Sequence, residues 1–139
     1  MPAKFHVLLP FLARHGLPLP LGGTSNHFRR EVLEQIGGWD PFNVTEDADI
    51  GQRLARFGYR ASVIASGTGE AAPGRLGIWL KQRTRWMKGW MQTYLVHMRA
   101  PGRLWRELGP TGFIALQVMI GGVVLSALIH PFFLVASAH

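Results

Sequence analysis

Apolar residues recur in three rhythms along this chain. Up to residue 21 they come in short runs cut by Pro10, Pro18 and Pro20, with Gly16 between. Proline fixes φ and removes a backbone donor, so no long helix fits there. A short helix or irregular segment over 6–14 and an extended stretch over 17–21 are predicted. The rhythm then becomes helical. Val32, Leu33 and Ile36 line one face of a segment that Ser25 or Asn26 can cap and Gly37-Gly38 stops. Ile50, Leu54 and Phe57 keep the same spacing in a second segment, opened by Thr45 and closed by Gly58. Residues 59–66, with Val63 and Ile64, read as a strand, and 67–77, with four glycines and a proline, as a loop. These strand and helix signals together predict an α/β fold.

A third helix is predicted over 78–98. Trp86, Trp90, Tyr94 and Met98 fall at steps of four, with Met87, Met91 and Leu95 beside them. Lys81, Arg85, Lys88 and Gln92 occupy much of the other side. Aromatic residues on the apolar face of a basic helix fit a helix lying at a membrane surface. From residue 111 to 138 there are 28 residues without formal charge, where about 20 cross the hydrocarbon core. Gln117 and Pro131 are tolerable in such a span, Pro131 with a kink. Three units follow: 1–98, a 99–110 linker, and a 111–138 transmembrane segment.

Charge adds orientation. Lys+Arg number 15 against 8 Asp+Glu, a net +7, which suits an anionic partner. Between Arg75 and Arg106 there are eight Lys/Arg and no acid. The positive-inside rule then places residues 1–108 in the cytoplasm and the span in the cytoplasmic (inner) membrane. With the basic residues abutting a span, acidic lipid is a simpler partner than nucleic acid. The absence of cysteine excludes disulfides and thiolate zinc sites. The six histidines show no metal-ligand spacing, and Gly22-Gly23 lacks the Gly-Lys-Ser/Thr of a Walker loop.

Two clusters carry chemistry. Glu46, Asp47 and Asp49 crowd the first turn of the second helix, where acid complements the helix dipole. A carboxylate there can also take a proton from an attacking hydroxyl. Gln82, Arg85 and Trp86 stand at i, i+3 and i+4, so they share a helix face. Arg forks onto phosphate oxygens, Trp offers a flat surface to a sugar ring, and Gln orients hydroxyls. Each cluster alone has a plain structural reading as a decorated helix end or a membrane-surface helix.

In order, Gly23-Thr24-Ser25, Gly37-Gly38-Trp39, Thr45-Glu46-Asp47 and the run from Gln82 to Gln92 resemble the membrane-bound family 2 glycosyltransferases. That family includes cellulose, hyaluronan and chitin synthases. The resemblance covers about residues 20–98. It implies a GT-A-like domain that inverts at the anomeric carbon. A hexose passes from a nucleotide diphosphate sugar, UDP-glucose or UDP-N-acetylglucosamine, to a glycan or glycolipid acceptor. It implies Asp47 as general base and Glu46 as a neighbour shaping the pocket. Gln82, Arg85 and Trp86 would contact donor diphosphate and acceptor, and Gly23, Thr24 and Ser25 the acceptor site. The resemblance also implies Mg2+ or Mn2+, but its D-x-D ligands do not precede Thr45 here. Asp47-Ala48-Asp49 falls within the acidic helix and is not read as that site. The expectation is therefore the C-terminal half of a catalytic domain, inactive alone. The competing expectation is a non-catalytic basic module anchored on acidic lipid.

Overall fold

The computed structural model describes residues 4–69 and 73–137. Residues 70–72 of the expected loop and residue 138 of the expected span lie outside them. A π-helical turn, Lys4–Leu8, runs into α1 (Leu9–Arg14). Then come α2 (Arg30–Gln35), α3 (Glu46–Arg56), α4 (Leu76–His97) and α5 (Pro101–Leu116). A second π-helical turn, Gln117–Gly121, joins α5 to α6 (Gly122–Ser137).

Three apolar clusters hold these elements. Leu9 and Leu12 of α1 pack on Leu19. Ile50 and Leu54 of α3 pack on Ile36, with Val32 and Leu33 beside them. Leu104, Leu116 and Ile120 form the third, covered by Trp90 and Tyr94 of α4 and by Met98 at its C-cap. The aromatic stripe expected to face lipid thus partly faces the protein's own apolar helices. The 17–21 stretch crosses α3 at Gly51, where a Cβ would stand 1.9 Å from the Leu19 carbonyl oxygen. Only a bare Cα lets backbone come that near.

The α/β expectation is not met among the described residues, where no strand occurs. Residues 59–66 follow an irregular course, and Ile64 is 72% exposed. A strand takes its hydrogen bonds from a neighbour, so suitable side chains alone do not make one. The first cap is corrected. Neither Ser25 nor Asn26 caps a helix; α2 starts at Arg30 without a side-chain cap, and the Asn26 amide donates to the Gly22 carbonyl instead.

Residues 101–110, read as linker, are helical. Pro101 takes an early position in α5, where its missing donor costs nothing. At Gly109, φ is +68°, and the helix kinks ahead of Pro110. Proline removes one helical bond, and glycine accepts the left-handed geometry. Across this kink, Pro101–His130 is long and apolar enough to cross a membrane, over 30 residues. Its polar residue Gln117 is satisfied against α4: its amide oxygen accepts from the Tyr94 hydroxyl at 2.7 Å, and its amide nitrogen lies 3.2 Å from the Met98 sulfur.

Candidate active site

Thr45 sits at the N-cap of α3, but its hydroxyl does not cap the helix. It turns across to α4, lying 3.3 Å from the Thr93 Oγ1 and 3.4 Å from the Asn43 Oδ1. Asn43 donates to Thr93 at 2.9 Å and accepts from the Thr45 backbone N–H at 3.0 Å. All three side chains are buried, so this small polar network is satisfied internally. Beneath it, Gly89 makes the contact possible. A Cβ there would stand 2.4 Å from Thr45 Cγ2 and 2.7 Å from its Oγ1. The Thr-Glu-Asp motif and the basic helix are therefore joined directly, Thr45 upon Gly89.

Glu46 and Asp47, half-buried, form the first turn just beyond that joint. Asp47 Oδ1 accepts from the Ala48 N–H at 2.8 Å. Its Oδ2 lies 3.4 Å from where a Cβ on Gly23 would be, so the glycine turn comes up against this carboxylate. Ser25 in that turn holds φ +57°, unusual for a residue with a side chain, and its hydroxyl pairs with Thr68 at 2.9 Å. Thr24 is exposed.

On α4, Gln82, Trp86, Gly89 and Thr93 follow the i, i+4, i+7, i+11 pattern of one helix face. Trp86 stands about 4.5 Å and Gln82 about 10 Å N-terminal of Gly89 along the axis. Arg85 flanks that stripe. Gln82 is half-buried, while Arg85 and Trp86 are exposed. The Arg83 guanidinium lies between two indoles, 5.2 Å from Trp79 and 5.0 Å from Trp86. Such cation–π stacking restrains the Trp86 ring. The structure thus brings Gly23 to Asp47 and Thr45 to Gly89. It sets Gln82, Arg85 and Trp86 about one to two turns from Gly89 along α4, on or beside the face that receives α3.

The residues that sequence reasoning missed lie behind this face. Asp49 is buried, and its two oxygens divide between helices. Oδ2 accepts from Arg53 Nε at 2.7 Å, and Oδ1 pairs with His97 Nε2 of α4 at 3.0 Å. Arg53 also donates to the Ile36 carbonyl at 2.7 Å. The only available signal was the continued four-residue step from Gly89 through Thr93 to His97. Burial pushes the Asp49 carboxyl up, but the hydrogen bond from His97 and the Arg53 charge outweigh it and leave it below the ordinary 3.8. The folded form therefore holds its proton less tightly than the unfolded one. Its stabilising contribution is complete above pH 3.8 and is lost as pH falls through the lower folded-state value. Asp49→Asn should cost about 3 kcal/mol at neutral pH and flatten the acid limb of the stability curve, as read by denaturant melts across pH.

The same arrangement bears on a metal. Asp49 is committed to Arg53 and His97, and among the described residues no group of three His, Cys, Asp or Glu side chains could hold one. These residues do not fit a divalent cation.

The structure sets a carboxylate against a glycine turn and joins its helix to one bearing amide, guanidinium and indole. The chain belongs to glycosyl transferase family group 2, whose model matches residues 4–138, and it is cellulose synthase-like. It is 37% identical over 68 residues to the probable glycosyltransferase YdaM of Bacillus subtilis, covering 48% of this chain and 16% of that one. To cellulose synthase 1 of Komagataeibacter xylinus it is 33% identical over 82 residues, covering 58% and 5%. To the beta-monoglucosyldiacylglycerol synthase of Synechocystis sp. it is 28% identical over 81 residues, covering 57% and 17%. The matches thus span less than a fifth of each of these relatives. No solved structure matches the chain.

Proposed function

We propose that these residues are the acceptor-side half of an inverting hexosyltransferase working at the cytoplasmic face of the inner membrane. The joint of Thr45 on Gly89 carries this reading, since it seats the acidic helix mouth on the basic, indole-bearing helix. In the proposed step an acceptor hydroxyl attacks C1 of a nucleotide diphosphate sugar from the face opposite the leaving group. The new O–C1 bond forms as the C1–O bond to phosphate breaks. Asp47 takes the hydroxyl proton, and the departing nucleoside diphosphate carries off the bond's electron pair. Glu46 shapes the mouth beside it. Arg85 matches the developing phosphate charge, Gln82 orients hydroxyls, and Trp86 stacks on the acceptor ring. Gly23, Thr24 and Ser25 border the acceptor. Family group 2 transfer is generally dependent on a divalent metal, whose ligands would come from outside the described residues.

The membrane side of the proposal has its own support. Along α4 and just past its end, Met87, Met91 and Leu95 form an apolar strip with Lys88 and Arg99 at its edges. Apolar side chains edged by cations suit the headgroup boundary of an anionic bilayer. The kinship to cellulose and glycolipid synthases leaves two acceptor classes, glycan and lipid. The test is a panel of labelled nucleotide sugars given to the full-length chain in membranes with Mg2+ or Mn2+. Label moving from UDP-glucose or UDP-N-acetylglucosamine into a glycan or lipid fraction is expected. Membrane binding with no transfer from any donor would favour a basic lipid-binding anchor instead.

A further inference from the structure

Behind the proposed site a chain of polar and charged side chains, buried at Asp49 and His97 and partly buried at Arg56 and Glu107, ties three helices together. From Asp49 on α3 it passes to His97 on α4, whose Nδ1 lies 3.0 Å from Arg56 NH1 of α3. Arg56 Nε continues to Glu107 Oε2 on α5 at 2.6 Å, and Arg103 Nε holds the other Glu107 oxygen at 2.6 Å. The directions of these bonds follow from chemistry. Arginine only donates, so His97 Nδ1 accepts from Arg56. The imidazole proton therefore stands on Nε2 and is donated to Asp49. Every link has one donor and one acceptor.

Along α3 this makes three moorings. Thr45 rests on α4 at the N-terminal end, Asp49 is held by α4 in the middle, and Arg56 by α5 at the C-terminal end. Asp47 and Arg56 are nine residues apart on one helix, about 13 Å. Glu107 stands two residues before the Gly109 kink, in the same long helix that is able to cross a membrane. A shift of that helix must carry Arg56 with it or strand a partly buried charge, and stranding a buried charge is costly. Charge-assisted bonds of this length are stiff, and an α-helix between them acts as a rod.

We propose that Glu107, Arg56 and His97 are positioning residues, which couple the membrane segment to α3 and so set the place of Asp47 against the Gly23 turn. This rests on the glycosyl-transfer reading only for what Asp47 does there; the coupling itself is measurable without turnover. The chain has no cysteine, so one introduced thiol is a clean reporter. In the full-length protein in membranes, with any cysteine outside these residues replaced, the maleimide labelling rate of Asp47→Cys is compared with and without Glu107→Gln. Leu80→Cys, at an exposed site on α4, is the control thiol. Arg56→Lys is run alongside, because it keeps the charge but cannot fork to both Glu107 and His97.

Either second substitution should raise labelling at position 47 by about fivefold or more, with the control unchanged. With Asp47 intact, Glu107→Gln should lower kcat about tenfold and leave the donor KM near its original value. Labelling at 47 that stays at the original rate, or that rises equally at Leu80→Cys, would overturn the coupling. An unchanged kcat in a protein that transfers sugar would overturn the positioning role. If the unsubstituted protein transfers nothing, the glycosyl-transfer reading fails, while the labelling rates still decide the coupling.

Discussion

Asp47→Asn in the full-length chain should cut kcat by about 10²–10⁴-fold, the range a positioned general base contributes. The donor KM should stay close to its original value, because the amide occupies the same volume and only proton acceptance is lost. Membrane insertion should be unaffected, since Pro101–His130 is long and apolar enough to cross a membrane by its own composition. Initial rates at saturating donor and acceptor check it. Retained turnover would remove Asp47 from the base role.

The second large effect concerns a residue without a side chain. Gly89→Ala places a methyl 2.4 Å from Thr45 Cγ2, 2.7 Å from its Oγ1 and 2.9 Å from its Cβ. Thr45 cannot swing aside: its χ1 is stiff, and its hydroxyl lies within the Asn43 and Thr93 network. The two helices must separate instead. Overpacking of this kind costs about 1–3 kcal/mol, partly offset by the better helix propensity of alanine. Catalysis should suffer more than stability, since a displacement of about 1 Å between reacting groups can cost 10²-fold. Adding Thr45→Ala removes two of the three clashing atoms and should restore part of the melting temperature and of the rate. A Gly89→Ala protein as active and as stable as the original would mean that the two motifs do not bear on each other at this joint.

How much of this was readable in the chain depends on distance along it. The helices were legible, because periodic Val32, Leu33 and Ile36, then Ile50 and Leu54, encode a buried face within a few residues. Gly58 ended α3 as expected, with φ +80°. Thr45 was placed at the right position for a different reason. Its hydroxyl serves α4 rather than its own helix, and no local rule distinguishes the two. The expected strand over 59–66 failed for a related cause: β pairing is a property of two segments, and only one was in view. The buried relay was the least legible. Asp49 looked like dipole decoration, His97 like a histidine without a motif, and nothing marked Arg56. Their partners lie 41 to 51 positions away, and only packing of α3 on α4 and α5 turns them into one chain. Gln117 gave the opposite lesson. A polar residue in an apolar segment looked merely tolerable, yet it is the point at which Tyr94 of α4 and Met98 at its C-cap meet the π-helical turn.

The central claim is that the acidic mouth of α3 and the basic face of α4 serve one substrate. The most direct measurement is the dissociation constant of the nucleotide sugar for full-length Arg85→Ala set beside that for Asp47→Asn. Affinity should fall about tenfold or more without the guanidinium, the scale of a lost charge-assisted bond to phosphate. The asparagine variant should bind the donor as before, although it no longer turns over. Unaltered donor affinity in Arg85→Ala, with turnover intact, would contradict the claim.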